Sequence, residues 1–434
     1  MPRSRLGFWM TVCLVMGNMI GSGVFLLPTS LAPFGGLSLF GWLISAAGAT
    51  CLALVFARLA RLDPSSGGPY AYTRRAFGEL AGFLVAWGYW VSCWVSVAAI
   101  AVAGVGYLVP FCPLLATEPA LAALVAISMV WLLTLTNIIS VRRAGQVQLV
   151  TTVLKVLPLV LIGIGGLSYL TPEHFAVHAK TPGEAYSQIS TVATLTLWAF
   201  LGLECATIPA GAITDPARTI PRATITGTLL TAACYLLSTI GVIALVPAAT
   251  LATTTAPFAD GASVLFGETA GRCVALCAFI SCFGALNGWI LVVGQLPLAV
   301  ARDGLFPPLF AKVSPSGTPV NGLCVAGALA TALIAFNYTR GLILLFTFTI
   351  LLATLAALVP YVFSTLAVFR IPEEKTNPAV ANRTARARVV AGLAFAYSMW
   401  AISGAGAEAV YWGFLLLIGG LPVFVFVTRA RPNV

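Results

Sequence analysis

Long apolar runs, separated by short polar segments, recur along the whole chain. A helix that crosses a bilayer needs about 20 mainly apolar residues, and the pattern predicts twelve such spans. The predicted spans are 8–32, 36–61, 78–108, 119–140, 146–170, 187–210, 221–246, 267–301, 319–336, 340–369, 388–406 and 409–428. No polar segment is long enough for a separate soluble domain, so residues 1–434 are expected to form one all-α polytopic membrane domain.

The first apolar run follows two basic residues, Arg3 and Arg5, and a secretory signal peptide begins in the same way. The run is too long for a signal peptide and has no clear cleavage site. We therefore interpret it as the first span.

Composition and charge support the membrane interpretation. The chain has 434 residues, of which 59% are hydrophobic and 8% charged, and its mean hydropathy is +0.99. Of the 23 Lys and Arg residues, 19 fall on the side of the predicted spans that holds the N-terminus, and cytoplasmic loops carry such an excess. This predicts a multi-pass protein of the bacterial inner membrane with both termini cytoplasmic. It also explains the net charge of +10 without nucleic acid.

Cysteine and histidine give no sign of a metal site or a cofactor. The ten cysteines lie almost entirely in apolar runs without paired spacing, which predicts small packing residues rather than a disulfide framework. His174 and His178 fall in a predicted outer loop, where solvated side chains are expected. No nucleophile–base set or phosphate loop is found either, so the chain is not expected to be an enzyme.

Two spans carry matching interruptions. In the first, Gly21 precedes Pro28 by seven residues, and in the sixth Gly202 precedes Pro209 by the same distance. Interrupted helices at equivalent positions of two halves indicate the binding site of a transporter, although glycines also permit close helix packing. Five spans per half invert the second half. The pattern therefore predicts an inverted repeat of 8–170 and 187–369, with 388–428 appended.

Two charged residues lie well inside predicted spans, away from the span ends, where charge is costly and usually functional. Glu204 follows the sixth-span interruption and could take up and release a proton, or it could brace the freed backbone. Lys155, in the fifth span, could extend to the membrane surface. It could instead point inward and donate to carbonyls of the broken first span.

Aromatic and mildly polar residues in the spans are further candidates. Trp198 and Trp289 lie mid-span beside polar or glycine-rich sequence, and an indole face can hold a cation. Tyr89, Ser92 and Cys93 give the third span a mildly polar face. Packing and helix–helix hydrogen bonding are the alternatives for both groups.

The chain resembles bacterial antiporters of the amino acid–polyamine–organocation superfamily, with arginine/agmatine antiporters the most similar group. The resemblance covers essentially the whole chain. It rests on four segments, which are 17–28 (GNMIGSGVFLLP), 63–72 (DPSSGGPYAY), 198–204 (WAFLGLE) and 303–308 (DGLFPP).

The resemblance implies specific roles. Ser22 and the Gly23 amide would hold a substrate carboxylate, and Glu204 would be the proton-responsive carboxyl. The implied acceptors of the α-ammonium are the carbonyls of Met19, Trp198 and Leu201. The rings of Trp198 and Trp289 would stack on or gate the substrate. The side chains of Tyr89 and Tyr361 would belong to further gates.

Three positions bear on the substrate and the coupling ion. Val97 and Ala353 stand where arginine/agmatine antiporters have an asparagine and a serine near the far end of the substrate, which weakens the case for guanidinium recognition. A lysine-like, ornithine-like or neutral substrate stays open. Lys155 resembles the lysine that replaces a sodium ion in sodium-independent relatives.

The sequence thus favours a secondary transporter that exchanges an amino acid, expected to be cationic, for a related amino acid or amine by alternating access. Proton-coupled, sodium-independent transport of neutral or diverse amino acids is the alternative. An amino-acid-binding channel or sensor is more distant, because no ring of pore-lining charges is found. Homodimers are common in the resembling family, and the bilayer is the expected surroundings.

Overall fold

The computed structural model describes residues 6–64, 67–139, 144–177, 179–208, 210, 213–314, 317–371 and 378–429. Several residues named above, namely Arg3, Arg5, Ser65, Ser66, His178 and Pro209, lie outside the described residues. The α-helices are α1 Phe8–Met19, α2 Ser22–Leu31, α3 Leu37–Leu62, α4 Pro69–Phe77, α5 Glu79–Gly106, α6 Leu114–Thr117, α7 Pro119–Ile139, α8 Ala144–Gly166, α9 Pro182–Leu197, α10 Pro216–Leu245, α11 Ala248–Leu251, α12 Pro257–Phe266, α13 Glu268–Arg302, α14 Val320–Asn337, α15 Gly341–Arg370, α16 Pro378–Ser403, α17 Gly406–Ile418 and α18 Gly420–Arg429.

The fold class is confirmed as an all-α polytopic membrane protein. Each of the twelve predicted spans overlaps one helix or two consecutive helices. Within the described residues, nine helical stretches are long and apolar enough to cross a bilayer, and one of them, Val320–Arg370, joins α14 and α15. The count of twelve spans stays a prediction.

Three span boundaries differ from the sequence expectation. The sixth span leaves the α-helix at Leu197 rather than near 210. The eleventh begins at Pro378 rather than 388, because its first turns carry exposed arginines that read as a loop. The twelfth divides into α17 and α18 around Gly419, since glycine is a poor helix former.

Helix α5 is the centre of the bundle. Nearly all of its residues from Gly82 to Gly106 are buried, and α13 and α15 pack along its length. The twelfth span lies at the periphery, with only 11% of its most apolar segment buried, against 89% for α5. The site described below forms around the central helix.

Equivalent helices of the two predicted repeats pack in pairs. Contacts join α3 to α10, α5 to α13 and α7 to α14. Such pairing is what two copies related by an approximate two-fold axis would give. The repeat boundaries themselves stay a prediction.

The bundle has two ends that need names. The Leu6 carbonyl accepts from the Thr214 amide (3.0 Å), and we call the end that holds these residues, Tyr70 and Asp303 the N-side. At the other end the Thr29 hydroxyl donates to the Thr254 carbonyl (2.8 Å), and we call this end the far side.

Candidate functional site

The first span is broken where its glycines predict. Helix α1 ends at Met19 and α2 begins at Ser22, with Ile20 and Gly21 in non-helical conformations. The first amides of α2 have no partner within their own helix, and they carry the positive end of its dipole. The N-terminus of α2 is therefore suited to hold an anion such as a carboxylate.

The sixth span is broken at the same depth. After α9 ends, Trp198–Phe200 forms a short 3-10 turn and Leu201 is extended. Gly202 has φ +104, a conformation that side chains oppose, and a Cβ there would lie 3.1 Å from the Asn18 Cβ. Residue 202 must therefore be glycine for two reasons, the backbone conformation and the close contact with the first-span break.

The two breaks pack against each other at Gly23. A Cβ on Gly23 would lie 3.1 Å from the Ala199 Cα and 3.1 Å from the Trp198 Cδ1, so no larger residue fits without displacing the sixth-span backbone. Gly21 lies equally close to α13, where its Cβ would be 3.3 Å from the Ala285 Cβ.

A cavity of ≈ 10 Å³ lies between the breaks. This is room for about one water molecule, so in this conformation the site is closed around too little space for an amino acid. The Ser22 hydroxyl is buried here without a hydrogen-bond partner among the described residues. The lining residues are Asn18, Met19, Gly21, Ser22, Gly23, Ile100, Trp198, Leu201 and Trp289.

Six of the ten residues predicted to bind substrate line this cavity. The other four, Ser92, Cys93, Val97 and Ala353, are buried but do not line it. The Ser92 hydroxyl donates to the Ala353 carbonyl (2.8 Å) and thereby joins α5 to α15. Val97 lies one turn from Ile100 on the same face of α5. Contact of these four with substrate stays a prediction.

Glu204 is fully buried directly after the sixth-span break. Its Oε2 accepts from the Tyr361 hydroxyl (2.7 Å), and Phe56 packs edge-on against the Tyr361 ring with centroids 5.6 Å apart. The Tyr89 hydroxyl also lies beside the Glu204 carboxyl. The two predicted gate tyrosines and the carboxyl therefore lie together.

Lys155 points inward and does not reach the membrane surface. Its side chain is fully buried, and its Nζ donates to the Gly17 carbonyl (3.2 Å), three residues before the non-helical Ile20. This bond joins α8 to α1. Whether the ammonium replaces a sodium ion stays a prediction.

Sequence reasoning missed several residues of the site. Asn18 and Ile100 line the cavity, and the Tyr235 hydroxyl donates to the Ala199 carbonyl (3.0 Å), which satisfies backbone freed by the sixth-span break. Asn18 could have been found from its place beside the glycines. Tyr235, in an otherwise apolar stretch of α10, has no comparable signal.

Charged and polar side chains close the N-side below the site. Asp303, just after α13, accepts from the Tyr70 hydroxyl (2.7 Å) and the Arg74 guanidinium (2.9 Å), both on α4. Burial and the Asp303 carboxylate raise the pKa of Tyr70, so its hydroxyl remains a donor at neutral pH. Arg75 pairs with Asp63 (2.9 Å) on the same side.

Aromatic rings and neutral hydrogen bonds close the far side. Phe25 of α2 meets Phe258 of α12 edge-on, with centroids 5.6 Å apart, and it also packs against Tyr107. The Tyr107 hydroxyl donates to the Phe25 carbonyl. Helix α2, which follows the first-span break, is thus covered by aromatic rings. The Asp260 carboxyl of α12 lies beside this closure and accepts from the Thr254 hydroxyl.

The chain matches the family model described as amino acid permease over residues 6–432. It is 35% identical over 334 residues to the cadaverine/lysine antiporter of Escherichia coli K12, which covers 76% of this chain and 74% of that protein. It is 32% identical over 430 residues to the putrescine transporter PotE of Haemophilus influenzae, with 98% and 97% covered.

A second putrescine transporter PotE, from Escherichia coli K12, is 30% identical over 427 residues, which are 98% of this chain and 96% of that protein. The expected superfamily is thereby confirmed from the near-complete match, and the relatives named here are transporters. The chain belongs to the amino acid permease family.

Proposed function

We propose that the protein exchanges a cationic amino acid for a related amino acid or amine by alternating access, and that the substrate binds between the two helix breaks. The observation that carries this proposal is the closed cavity at the N-terminus of α2, with the unpartnered Ser22 hydroxyl and two tryptophans in its wall. A buried hydroxyl without a partner is costly, and a bound carboxylate would supply one.

The backbone at the breaks suits both ends of an α-amino acid. The first amides of α2 and the Ser22 hydroxyl favour the carboxylate. The carbonyls of Met19 and Trp198 each accept one backbone amide, and a carbonyl oxygen has a second lone pair. These oxygens would receive the α-ammonium.

The side-chain end of the substrate would lie against aromatic and apolar residues. The rings of Trp198 and Trp289 can hold a cation on their faces. Val97 and Ala353 offer no side-chain acceptors for a guanidinium, whereas a compact primary ammonium needs fewer fixed partners. The names of the relatives, which include lysine, cadaverine and putrescine, agree with a primary amine.

We assign the N-side to the cytoplasm, on the asymmetry of basic residues. Glu204 would be the group that binds a proton during the cycle, since it is buried beside two gate tyrosines. Substrate entry requires Trp198 or Trp289 to move, because the cavity is smaller than any amino acid.

The experiment is uptake of radiolabelled substrate by purified protein in liposomes. Vesicles are loaded with lysine, ornithine, arginine, cadaverine, putrescine, agmatine or neutral amino acids, or left unloaded. Uptake only into vesicles loaded with a cationic amino acid or its amine would support exchange. Equal uptake into unloaded vesicles would contradict it.

A Ser22→Ala variant tests the site within the same assay. Loss of a hydrogen bond to a charged group costs about 1.5–3 kcal/mol, so the KM for an amino acid should rise at least about tenfold. A diamine, which has no carboxylate, should be affected much less. Ser128→Ala is the control, since Ser128 is exposed and donates only within its own helix.

Proton-coupled transport is the second candidate, and the inward ammonium of Lys155 favours it. A pH gradient should then drive accumulation of neutral amino acids into unloaded vesicles. Absence of such accumulation, together with exchange in loaded vesicles, would exclude this candidate.

A further inference from the structure

Helices α4 and α12 share a sequence pattern although they lie at opposite ends of the bundle. Each begins with Pro, an aromatic residue and Ala, and each is followed by Gly-Glu-x-Ala-Gly, in 69–82 (PYAYTRRAFGELAG) and 257–271 (PFADGASVLFGETAG). Gly78 and Gly267, with φ +89 and +86, connect the short helices to the long helices α5 and α13. Two copies of one repeat would give such a match.

Each of these helices contributes to the closure at its own end. On the N-side, Tyr70 and Arg74 of α4 donate to Asp303. On the far side, Phe258 of α12 belongs to the aromatic closure, and Asp260 follows it by two residues in the first turn of the helix. A guanidinium thus pairs with the carboxylate on the N-side, whereas α12 itself carries the carboxylate on the far side.

Asp260 lies at the edge of the far-side closure and above the cavity. Its Oδ2 accepts from the Thr254 hydroxyl (2.5 Å), and the Thr254 carbonyl accepts from the Thr29 hydroxyl of α2 (2.8 Å). Thr29 lies seven residues along α2 from Ser22, which is about 10 Å. A substrate that enters past α2 therefore passes Asp260 before it reaches the helix breaks.

Asp260 differs from the other acidic residues of the far side, because it is half-buried and forms no ion pair within the described residues. Glu268 pairs with Arg272, and Glu408 pairs with Arg340. The remaining far-side acidic residues are exposed to solvent, and they are Glu118, Glu173 and Glu184. The N-terminal turn of α12 favours a negative charge, but a charge partly removed from water is costly until a counter-ion joins it.

We propose that the Asp260 carboxylate binds the ammonium group of a cationic substrate that enters from the far side, before the substrate reaches the cavity between the helix breaks. The inference rests on the proposed exchange of cationic substrates and adds an outer contact to it. The Asp260 Oδ1 has no hydrogen-bond partner among the described residues. A primary ammonium has three donors on a flexible stem and can reach such an oxygen without a fixed geometry.

This contact would raise the rate of substrate capture without holding the far side closed. A carboxylate beside a low-dielectric wall raises the local concentration of cations and their association rate. Asp260 reaches α2 only through the neutral Thr254, so the closure itself contains no ion pair there. Salt should therefore weaken capture of a cationic substrate from the far side while that side stays closed.

The test compares the two faces of the membrane for Asp260→Asn, which removes the charge and keeps an oxygen that can accept from Thr254. Intact cells present the far side under the orientation assigned above, and inverted membrane vesicles present the N-side. The KM for radiolabelled lysine and cadaverine should rise about twofold to fivefold in cells and stay unchanged in vesicles. Inhibition by norleucine, which has no side-chain ammonium, should not change. Asp260→Glu should restore the wild-type KM.

Two controls make the test specific. Glu268→Gln removes the same charge from the exposed pair with Arg272, and it should leave the KM for cadaverine unchanged. Raising the ionic strength from about 0.01 M to about 0.15 M at constant osmolarity shortens the screening length from about 30 Å to about 8 Å. The wild-type KM in cells should then rise, alike with sodium or choline chloride, and the rise should vanish in Asp260→Asn. This salt measurement needs no variant to fold.

Three outcomes would overturn the inference. They are a KM for cadaverine that is unchanged in Asp260→Asn, a loss of affinity shared by norleucine or by both faces, and a wild-type KM in cells that is independent of salt. If the wild type still exchanges cationic substrates in those cases, the transport proposal survives and only the Asp260 contact is rejected. If the wild type exchanges neutral amino acids alone, both are rejected. A rise confined to inverted vesicles would support the contact and reverse the assigned orientation.

Discussion

The two ends of the proposed pathway are closed by different chemistry. On the N-side, Asp303 accepts from Tyr70 and Arg74, and the Arg74 and Asp303 side chains are 36% and 42% exposed. On the far side, Phe25, Tyr107 and Phe258 are buried and meet through rings and one hydroxyl. One closure depends on charge near water, and the other on packing away from it.

The difference has an energetic consequence. Exposed ion pairs contribute about 0–1 kcal/mol and weaken with salt, whereas an aromatic pair adds about 0.5–1.5 kcal/mol beyond its buried area and is insensitive to salt. The N-side should therefore open more readily, and it should respond to charge substitutions and ionic strength. The far side should respond to changes in volume and hydroxyl groups.

The largest effect is expected at the sixth-span break, which lies between the two closures. Gly202→Ala places a Cβ on a residue with φ +104, at a cost of about 1–3 kcal/mol, and against Asn18. Exchange in liposomes should fall about tenfold or more. Gly267→Ala is the matched control, since it has φ +86 with nothing within 4 Å of its Cβ. Equal losses in the two variants would show that backbone strain alone is responsible.

Asp303→Asn should open the N-side. It removes the charge that two donors share, and hydrogen bonds to charged groups are worth about 1.5–3 kcal/mol when protected from water, less at this partly exposed position. Alkylation of Cys205, buried at the sixth-span break, should rise several-fold when a thiol reagent is applied from the N-side. Mass spectrometry of the Cys205 peptide measures it.

Asp63→Asn is the control for that experiment. It disrupts the pair with Arg75, which joins the end of α3 to α4 but does not reach α13. Cys205 alkylation should stay near the wild-type rate. If both variants respond alike, general loss of charge rather than the contact with Asp303 controls opening.

Tyr107→Phe should loosen the far side by a smaller amount. It removes one neutral hydrogen bond and leaves the Phe25 carbonyl without that donor, at a cost of about 1 kcal/mol. Hydrogen–deuterium exchange of the peptides that contain Phe25 and Tyr107 should rise about fivefold, with no change in the peptide that contains Tyr70 on the N-side. A rise on both sides would mean that the bundle as a whole has been destabilised.

Salt should have the smallest effect, and only on the N-side. Raising the ionic strength from about 0.1 M to 1 M shortens the screening length from about 10 Å to about 3 Å. Alkylation of Cys205 from the N-side should increase less than fivefold, because the contact contributes about 1 kcal/mol at most. In Asp303→Asn the salt dependence should vanish. Salt-dependent labelling from the far side would contradict the comparison.

The sequence predicted the local backbone conformation well. It did not predict where helices extend beyond the apolar layer or which way a buried side chain points. Gly21 and Gly202 predicted both breaks because glycine disfavours helix wherever it occurs. The direction of Lys155 was undecided, since it depends on which neighbour meets that face of α8. The early start of α16 was missed because a helix that extends beyond the apolar layer has no hydrophobic signal.

The same difference between local and tertiary information applies to the site residues. Residues at the breaks, such as Ser22 and Trp198, were found because the interruption marks their position. Ser92 is tied to Ala353 by a contact between distant segments, and Tyr235 satisfies backbone on another helix. Sequence spacing contains no record of such tertiary partners.

The bond from Lys155 to Gly17 also has a mechanical consequence. It ties α1 to α8, so we expect α1 to move together with α8 during the proposed alternating access. The first span would then bend at Ile20–Gly21, and two helices, α1 and α8, would rotate about this break rather than one. Each turnover would then move α1 and α8 together, and a substitution anywhere along α8 would affect the same movement.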